Sequence, residues 1–364
     1  MLNICYYSSD FYSQYTGISI LSLCENNKEL DFRIHYIDAG VSKENKLKTI
    51  EIIKKYKREI IFYEFSAFEA HIRINLNLPP CNDSYATYIK IFPELLLNDI
   101  DTVLFIDGDT IIRNSIAEIN NIDIMNYLFA AVKMPLVTDE SLYTNADPNH
   151  PQLLRYQYSL KFRQSGYYNI GVLYMNLNKW KEFDVGKHIL ETRNNHPELL
   201  SDPDIPVDEI FFNLTILETI GIQYSYSLHP KYNLAWHFLP YKESLHLNNL
   251  CGYIDLKQFN EAYYDATVVH YIMYKPWNHD MYSRYLSDLI KYIKRSPWEK
   301  LHRKNCYTKA IAAIHGYKRK FSKFLHRLHH IKRRTFNLMR RIVRLTFGVM
   351  HRLKKFIRCK KAER

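Results

Sequence analysis

The chain has 364 residues, and 47% of them are hydrophobic, so it can bury a large core in one or two α/β domains. Its six cysteines form no CxxC pair and have no regular spacing, which argues against a disulfide scaffold and against a zinc site. The N-terminus lacks a basic and apolar leader, and no run of about 18 apolar residues occurs. We therefore expect a protein of a reducing compartment, neither secreted nor anchored by a membrane-spanning helix.

The charge of the chain is divided between two regions. Residues 300–364 hold 22 of the 50 Lys and Arg residues but one of the 38 Asp and Glu residues. This segment therefore carries a formal charge of +21, residues 1–299 carry −9, and the chain as a whole carries +12. We predict a folded domain over 1–299 and a basic tail over 300–364.

Strand-like and helix-like segments alternate along residues 1–299. The predicted strands are NICYY (3–7), DFRIHYID (31–38), EIIFYEF (59–65), DTVLFI (101–106), YYNIGVLYMNL (167–177) and DATVVHYI (265–272). The predicted helices are residues 43–56, 87–97, 178–195 and 208–220, together with a helix around Ile18 that follows a polar loop. This alternation predicts an α/β fold with a mostly parallel sheet and helices on its faces.

The segment LFIDGDTIIR (104–113) interrupts an apolar run with two carboxylates. In open parallel sheets ligands bind beyond the carboxyl ends of the strands, which is where Asp107 and Asp109 fall. Two such carboxylates can bind one divalent cation, with a diphosphate supplying its other oxygen ligands, and Gly108 permits a close backbone approach or a positive φ. The alternative that these residues form only a turn stays open.

Two further segments carry candidate functional groups. In VVHYIMYKPW, His270 ends an apolar strand and Lys275 follows five residues later; an imidazole beside two carboxylates favours Mn²⁺ over Ca²⁺, and a lysine can neutralise phosphate. In PVDEIFFN, Asp208 and Glu209 lie in the first turn of a helix, where one carboxylate could face a reacting centre. Structural roles, as a buried histidine and as acids that complement the helix dipole, are the alternatives.

Six segments, taken in order, resemble the motifs of the family-8 glycosyltransferases, which include bacterial lipopolysaccharide glucosyl- and galactosyltransferases and glycogenin. NICYYSSDFY is similar to the family's opening strand and nucleotide loop, VLFIDGDTIIRNSI is similar to its D-x-D segment, and YYNIGVLYMNL is similar to its N-A/S-G-V strand. Further along the chain, DEIFFN is similar to the D-Q-D-x-x-N helix, HPKYN to the L-P-x-x-Y/W-N segment, and HYIMYKPW to the H-x-G-x-x-K-P-W segment. The resemblance covers roughly residues 1–285.

The resemblance implies a GT-A type fold and a retaining transferase that moves a hexose, glucose or galactose, from a UDP-sugar. It implies that Asp107, Asp109 and His270 bind Mn²⁺, with Mg²⁺ as the alternative. Other positions would bind the nucleotide and its phosphates, namely Ser9, Asp10, Tyr12, Lys90, Gly108 and Lys275, beside the two aspartates. The positions around the transferred sugar would be Asn169, Asp208 and Glu209.

The chain departs from the family pattern at three places. The family's D-Q-D becomes Asp208, Glu209 and Ile210, which leaves open whether Glu209 attacks the anomeric carbon or only stabilises an oxocarbenium ion. Lys90 stands where the family usually has arginine, so the charge is kept but bidentate geometry is lost. HYIMYKPW is one residue shorter than the family motif and has no glycine.

The basic tail has apolar residues at three- and four-residue steps, typical of an amphipathic helix. They are Phe321, Phe324, Leu325, Leu328, Ile331, Leu338, Ile342, Leu345, Val349, Leu353 and Phe356. Each Lys or Arg near an anionic leaflet is worth on the order of 1 kcal/mol, so an anionic membrane surface is the preferred partner. A protein partner is the second hypothesis, and nucleic acid is disfavoured because no recognition module accompanies the charge.

Together these features predict a cytoplasmic enzyme, peripheral on the cytoplasmic face of the inner membrane. Its acceptor would be a lipid-linked bacterial surface glycan, such as the lipopolysaccharide core. The alternatives are a protein acceptor, a capsular or teichoic acceptor, and a catalytically inactive scaffold tethered by the tail.

Overall fold

The structure is a computed structural model that describes residues 1–80, 84–135, 158, 160–163, 165–201, 207–235, 237, 241–242, 244–246, 253–272, 275 and 283–300. The basic tail after Lys300 therefore lies outside the described residues, and its predicted helix stays a prediction. Within the described part of the chain, no helix combines the length and the hydrophobicity that a membrane crossing requires.

A seven-stranded sheet with strand order β3-β2-β1-β4-β7-β6-β8 forms the centre of the fold. Its strands are β1 (Leu2–Ser9), β2 (Phe32–Ala39), β3 (Glu59–Glu64), β4 (Thr102–Ile106), β6 (Phe129–Lys133), β7 (Tyr168–Asn176) and β8 (Ser225–Leu228). The pairs β1–β2, β2–β3, β1–β4 and β6–β8 are parallel, whereas β7 is antiparallel to β4 and β6. The predicted mostly parallel α/β sheet is confirmed.

A second, two-stranded sheet pairs β5 (Thr110–Ile112) with β9 (Val268–His270). The helices are α1 (Asp10–Asn26), α2 (Lys43–Lys55), α3 (Phe65–Ala70), α4 (Ala117–Asn120), α5 (Leu177–Glu182), α6 (Val185–Asn195), α7 (Val207–Thr215), α8 (Leu256–Tyr264) and α9 (Leu286–Arg295). Helix α1 contacts α2, β5 and α9, so the N- and C-terminal parts of the described chain meet on one helix.

The core between the sheet and α7 is rich in aromatic side chains. Phe212 on α7 makes an edge contact with Phe129 of β6, with ring centroids 4.8 Å apart, and stacks against Trp180 of α5. All three rings are buried. Such packing fixes the first turn of α7 relative to the carboxyl ends of the strands.

Helix α1 begins at Asp10, so the predicted polar loop before Ile18 is wrong. The segment is helical because its small hydroxyl residues are satisfied inside the helix. Ser13 Oγ donates to the carbonyl of Asp10 at 2.6 Å, and Ser22 Oγ donates to that of Ser19 at 2.7 Å. Buried serines with internal partners give a polar sequence without a loop.

The predicted helix over 87–97 is also wrong. Two short 3₁₀ helices, Ala86–Lys90 and Pro93–Leu95, replace it because Pro93 cannot continue a helix from Phe92. The predicted helix 178–195 is divided between α5 and α6 at Asp184, whose φ of 47° is left-handed. The predicted helix over 208–220 continues past α7 as a π-helical turn, Ile216–Ile220.

Candidate active site

Strand pairing brings the Asp-Gly-Asp turn and His270 together although 161 residues separate Asp109 from His270. Strand β5 follows the turn directly and pairs antiparallel with β9, so that Thr110 lies opposite His270. The backbone N–H of Tyr271 donates to the carbonyl of Asp109 at 2.9 Å and continues this pairing. As a result, His270 Nε2 lies 3.2 Å from Asp109 Oδ1 and 3.7 Å from Asp107 Oδ2.

Each of the two aspartates also contacts a lysine. Lys90 Nζ donates to Asp107 Oδ1 at 2.6 Å, and Lys275 Nζ donates to Asp109 Oδ2 at 2.5 Å. Burial alone would raise the pKa of Asp109, which is 9% exposed, but His270 and Lys275 outweigh it and hold this pKa below its usual range. Burial lowers and Asp107 raises the pKa of Lys90, and the net direction is upward. These ion pairs favour the charged forms of Asp109, Lys90 and Lys275.

Asp107, Asp109 and His270 offer ligand atoms that all lie within 4.8 Å of one another. His270 Nδ1 lies 2.9 Å from Asn233 Oδ1 and donates to it, which directs the other ring nitrogen, Nε2, at the two carboxylates. Two carboxylate oxygens and one imidazole nitrogen suit a divalent cation such as Mn²⁺. The residues therefore fit the metal that the family resemblance implies.

Asn233 belongs to a hydrogen-bond chain that runs from His270 to Glu209. Asn233 Nδ2 donates to Asn169 Oδ1 at 2.6 Å, and Asn169 Nδ2 donates to Glu209 Oε2 at 2.7 Å. The backbone N–H of Ile170 also donates to Glu209 Oε2, at 3.1 Å. The sequence interpretation did not name Asn233 as a site residue, although it is the last residue of the segment HPKYN.

The two acids of α7 have different surroundings. Glu209 is 7% exposed and is held by Asn169 and Ile170, whereas Asp208 lines the cavity that also contains Asp107. Burial, followed by repulsion from Asp208, raises the pKa of Glu209 to about 8. Burial also raises the pKa of Asp208, with partial compensation from Lys90.

A cavity of about 300 Å³ connects most of the predicted site residues. Its lining includes Tyr12, Lys90, Asp107, Gly108, Asp109, Asp208 and Lys275. A Cβ on Gly108 would lie 2.2 Å from Thr16 Oγ1, and Gly108 has no positive φ, so this glycine is required for the close approach of α1. Lys275 Nζ also lies over the Tyr12 ring, 5.2 Å from its centroid.

Ser9 and Asp10 lie at the N-terminus of α1, between Ser8 and Tyr12 of the cavity lining, but do not themselves line that cavity. Ser9 lines a neighbouring cavity of about 650 Å³. The Asp10 carboxylate faces α2, where its Oδ1 accepts from the N–H of Ser42 and from Asn45 Nδ2, both at 2.8 Å. The structure thus places Asp107, Asp109, Lys90 and Lys275 on one cavity, and His270 contacts both of these aspartates.

Solved glycosyltransferase structures share this fold. The galactosyltransferase LgtC, solved with donor and acceptor sugar analogues, aligns with a TM-score of 0.58 at 18% identity over 81% of this chain and 96% of its own. The bifunctional glycosyltransferase WbbM aligns with a TM-score of 0.62 at 19% identity over 83% of this chain, which corresponds to 51% of WbbM. Fold and site together define a GT-A type glycosyltransferase.

The model of the family described as Glycosyl transferase family 8 matches residues 3–281, and the chain belongs to this family. A lipopolysaccharide 1,2-glucosyltransferase of Escherichia coli is 24% identical over 89% of this chain and 86% of its own length. General stress protein A of Bacillus subtilis is 23% identical over 82% and 95%, respectively. A putative glycosyltransferase of Haemophilus influenzae is 26% identical, but the chain spans 57% of that protein.

Proposed function

We propose that this protein is a Mn²⁺-dependent, retaining transferase that moves glucose or galactose from a UDP-sugar to a bacterial surface glycan. The observation that supports this most is the cluster of Asp107, Asp109 and His270 in a family-8 fold, where Lys90 and Lys275 pair with the two aspartates and line one cavity with them. With a divalent cation bound, this group of side chains would carry the positive charge that complements a nucleotide diphosphate.

Lys90 and Lys275 are the residues that would meet the diphosphate. A cation held by Asp107, Asp109 and His270 would supply positive charge to the leaving UDP. Both ammonium groups already lie beside those aspartates, so each can contact a phosphate oxygen after a small rotation of its flexible side chain. The Tyr12 ring, which also lines the cavity, is suited to stack on the uracil base.

Asp208 is the acid that we assign to the reacting face of the sugar. It lines the cavity together with Lys90 and Asp107, and an ionised carboxylate there would stabilise an oxocarbenium ion or attack its carbon. Glu209 is directed at Asn169 and Ile170, and its raised pKa keeps it largely protonated at neutral pH. We therefore propose that Glu209 holds Asn169 and that a covalent step through Glu209 does not occur.

A donor screen tests this function directly. The full chain is heated with UDP-glucose, UDP-galactose, UDP-N-acetylglucosamine and GDP-mannose, each with and without Mn²⁺. We expect one UDP-hexose with Mn²⁺ to raise the melting temperature by several degrees, because a ligand that binds only the native state stabilises it by mass action. The same donor should be hydrolysed slowly to UDP. A folded protein that neither shifts nor hydrolyses any UDP-sugar would instead be the inactive scaffold.

The proposal for the acceptor rests on two observations, the names of the relatives and the charge of the tail. Several relatives are named as lipopolysaccharide transferases, and residues 300–364 carry a formal +21. We propose that the tail binds anionic lipid at the cytoplasmic face of the inner membrane and brings the enzyme to a lipid-linked acceptor.

Co-sedimentation with vesicles tests the role of the tail. The full chain should pellet with vesicles that contain phosphatidylglycerol and much less with pure phosphatidylcholine. Salt at about 0.5 M should release it, because salt screens the attraction between the basic tail and the anionic lipid. Removing residues 318–364 should abolish pelleting and leave UDP-sugar hydrolysis measurable. Equal pelleting of the truncated protein would contradict the proposal and favour a protein partner for the tail.

A further inference from the structure

Trp298 follows α9 and lies beyond residue 281, where the family match ends, yet it reaches the N-terminal part of the domain. Its side chain is 1% exposed, and its Nε1–H donates to Asn45 Oδ1 at 2.8 Å. Because Asn45 Oδ1 is thereby used as an acceptor, the other end of the same amide, Nδ2, is directed at Asp10 Oδ1, 2.8 Å away. Trp298 thus fixes the orientation of the amide that holds Asp10.

Trp298 also supports α1 by direct packing. A Cβ on Gly17 would lie 2.2 Å from Trp298 Cη2, so the indole ring occupies the space that any side chain at this position would take. The preceding residue, Thr16, abuts Gly108 of the Asp-Gly-Asp turn and donates to Ser8 Oγ at 3.2 Å. Adjacent residues of α1 therefore contact Trp298 and the wall of the donor cavity.

Helix α9 has other contacts with α1 besides the hydrogen bond between Trp298 and Asn45. At the other end of α1, Tyr292 Oη accepts from Asn26 Nδ2 at 2.6 Å, and Arg295 pairs with Glu25 at 2.9 Å. These contacts attach α9 to the C-terminal end of α1. Trp298, in contrast, is connected through Asn45 to Asp10, at the end where Ser9 and Tyr12 lie.

We propose that Trp298 is a positioning residue for donor binding, acting through Asn45 on Asp10 and through Gly17 on the helix that carries Tyr12. The proposal rests on the proposed function in one respect, that the ligand beside the N-terminus of α1 is a nucleotide. It adds a residue outside the matched family segment to the determinants of nucleotide affinity.

Three variants of the full chain test this proposal. Trp298→Phe keeps an aromatic ring but removes the N–H donor, and Asn45→Asp keeps an acceptor for Trp298 but removes the donor to Asp10 and places a second carboxylate beside it. Tyr292→Phe is the matched control, because it also removes one part-buried hydrogen bond made by an aromatic side chain near the end of the described chain, here between α9 and α1. The dissociation constant of UDP is measured by calorimetry with Mn²⁺ present, and hydrogen–deuterium exchange is measured without ligand.

We expect Trp298→Phe to weaken UDP binding by about fivefold to tenfold, the effect of losing one ordinary hydrogen bond, and Asn45→Asp to weaken it at least as much. Tyr292→Phe should change the constant by less than about twofold, within the scatter of distant and independent sites. Backbone amides of residues 8–16 should exchange faster in Trp298→Phe, whereas in Tyr292→Phe the faster exchange should fall near residues 22–30.

Two results would overturn the proposal. One is equal UDP affinity in wild type and Asn45→Asp, since the connection to Asp10 would then have no effect. The other is an exchange pattern over residues 8–16 that is the same in Trp298→Phe and Tyr292→Phe. The exchange measurement uses no nucleotide, so it decides the positioning role even where the wild type fails to bind UDP and the proposed function itself is wrong.

Discussion

Two pairs of acids meet at this site, and the pKa of Asp109 in the first pair shifts in the direction opposite to the pKa values of Asp208 and Glu209 in the second. Asp107 and Asp109 each contact a lysine, and His270 lies beside both. The pKa of Asp109 is accordingly held low. On α7, burial raises the pKa of both Asp208 and Glu209, and the latter reaches about 8.

The difference lies in the partners and not in the number of carboxylates. The first pair has cationic neighbours whose positions a metal ion and phosphates can share, so it is placed to bind a cation beside an anionic ligand. Glu209 has amide donors from Asn169 and Ile170, which satisfy one of its oxygens without supplying a full positive charge. One pair is therefore suited to holding a cation, and the other to shaping the sugar side of the cavity.

Substituting one acid from each pair should separate these roles. Asp109→Asn should lower UDP-sugar hydrolysis by about a thousandfold and abolish the extra thermal shift that Mn²⁺ gives with UDP, because a charged ligand is lost. Asp208→Asn should lower hydrolysis by about a hundredfold but retain the Mn²⁺-dependent shift with UDP. Initial rates and melting curves on the same preparations check both statements. Loss of the Mn²⁺ effect in Asp208→Asn would remove the distinction between the pairs.

The first part of the fold is the part that sequence patterns predict well. Strands β1 to β4 are short apolar segments, each ended by polar residues, and their alternation with helices is visible in the letters. The failures have local physical causes. Pro93 divides a segment with helical spacing, and the serines of α1 give a buried helix the composition of a loop.

The site itself was predictable only where a motif marks it. Asp107, Asp109 and His270 were named from segments at strand ends, but their contact depends on the pairing of β5 with β9, which no spacing reveals. Asn233 lies in the HPKYN segment, but that segment does not show that Asn233 contacts His270, and a single Trp such as Trp298 has no pattern at all. Long-range hydrogen bonds of this kind require the fold.

The smallest expected effect concerns Glu209 and stability. Its folded-state pKa of about 8 is above the usual glutamate value, so between about pH 5 and pH 8 the unfolded chain loses a proton that the folded chain keeps. The wild-type free energy of unfolding should therefore fall as the pH rises through this window. Glu209→Gln, which cannot ionise, should gain stability relative to wild type as the pH rises from 5 to 8, by up to about 1.4 kcal/mol per pH unit, measured by urea unfolding. Glu51→Gln, at an exposed position on α2, is the control and should show the same dependence of unfolding free energy on pH as the wild type. If Glu209→Gln also runs parallel to the wild type, Glu209 is ionised in the folded protein and the prediction is wrong.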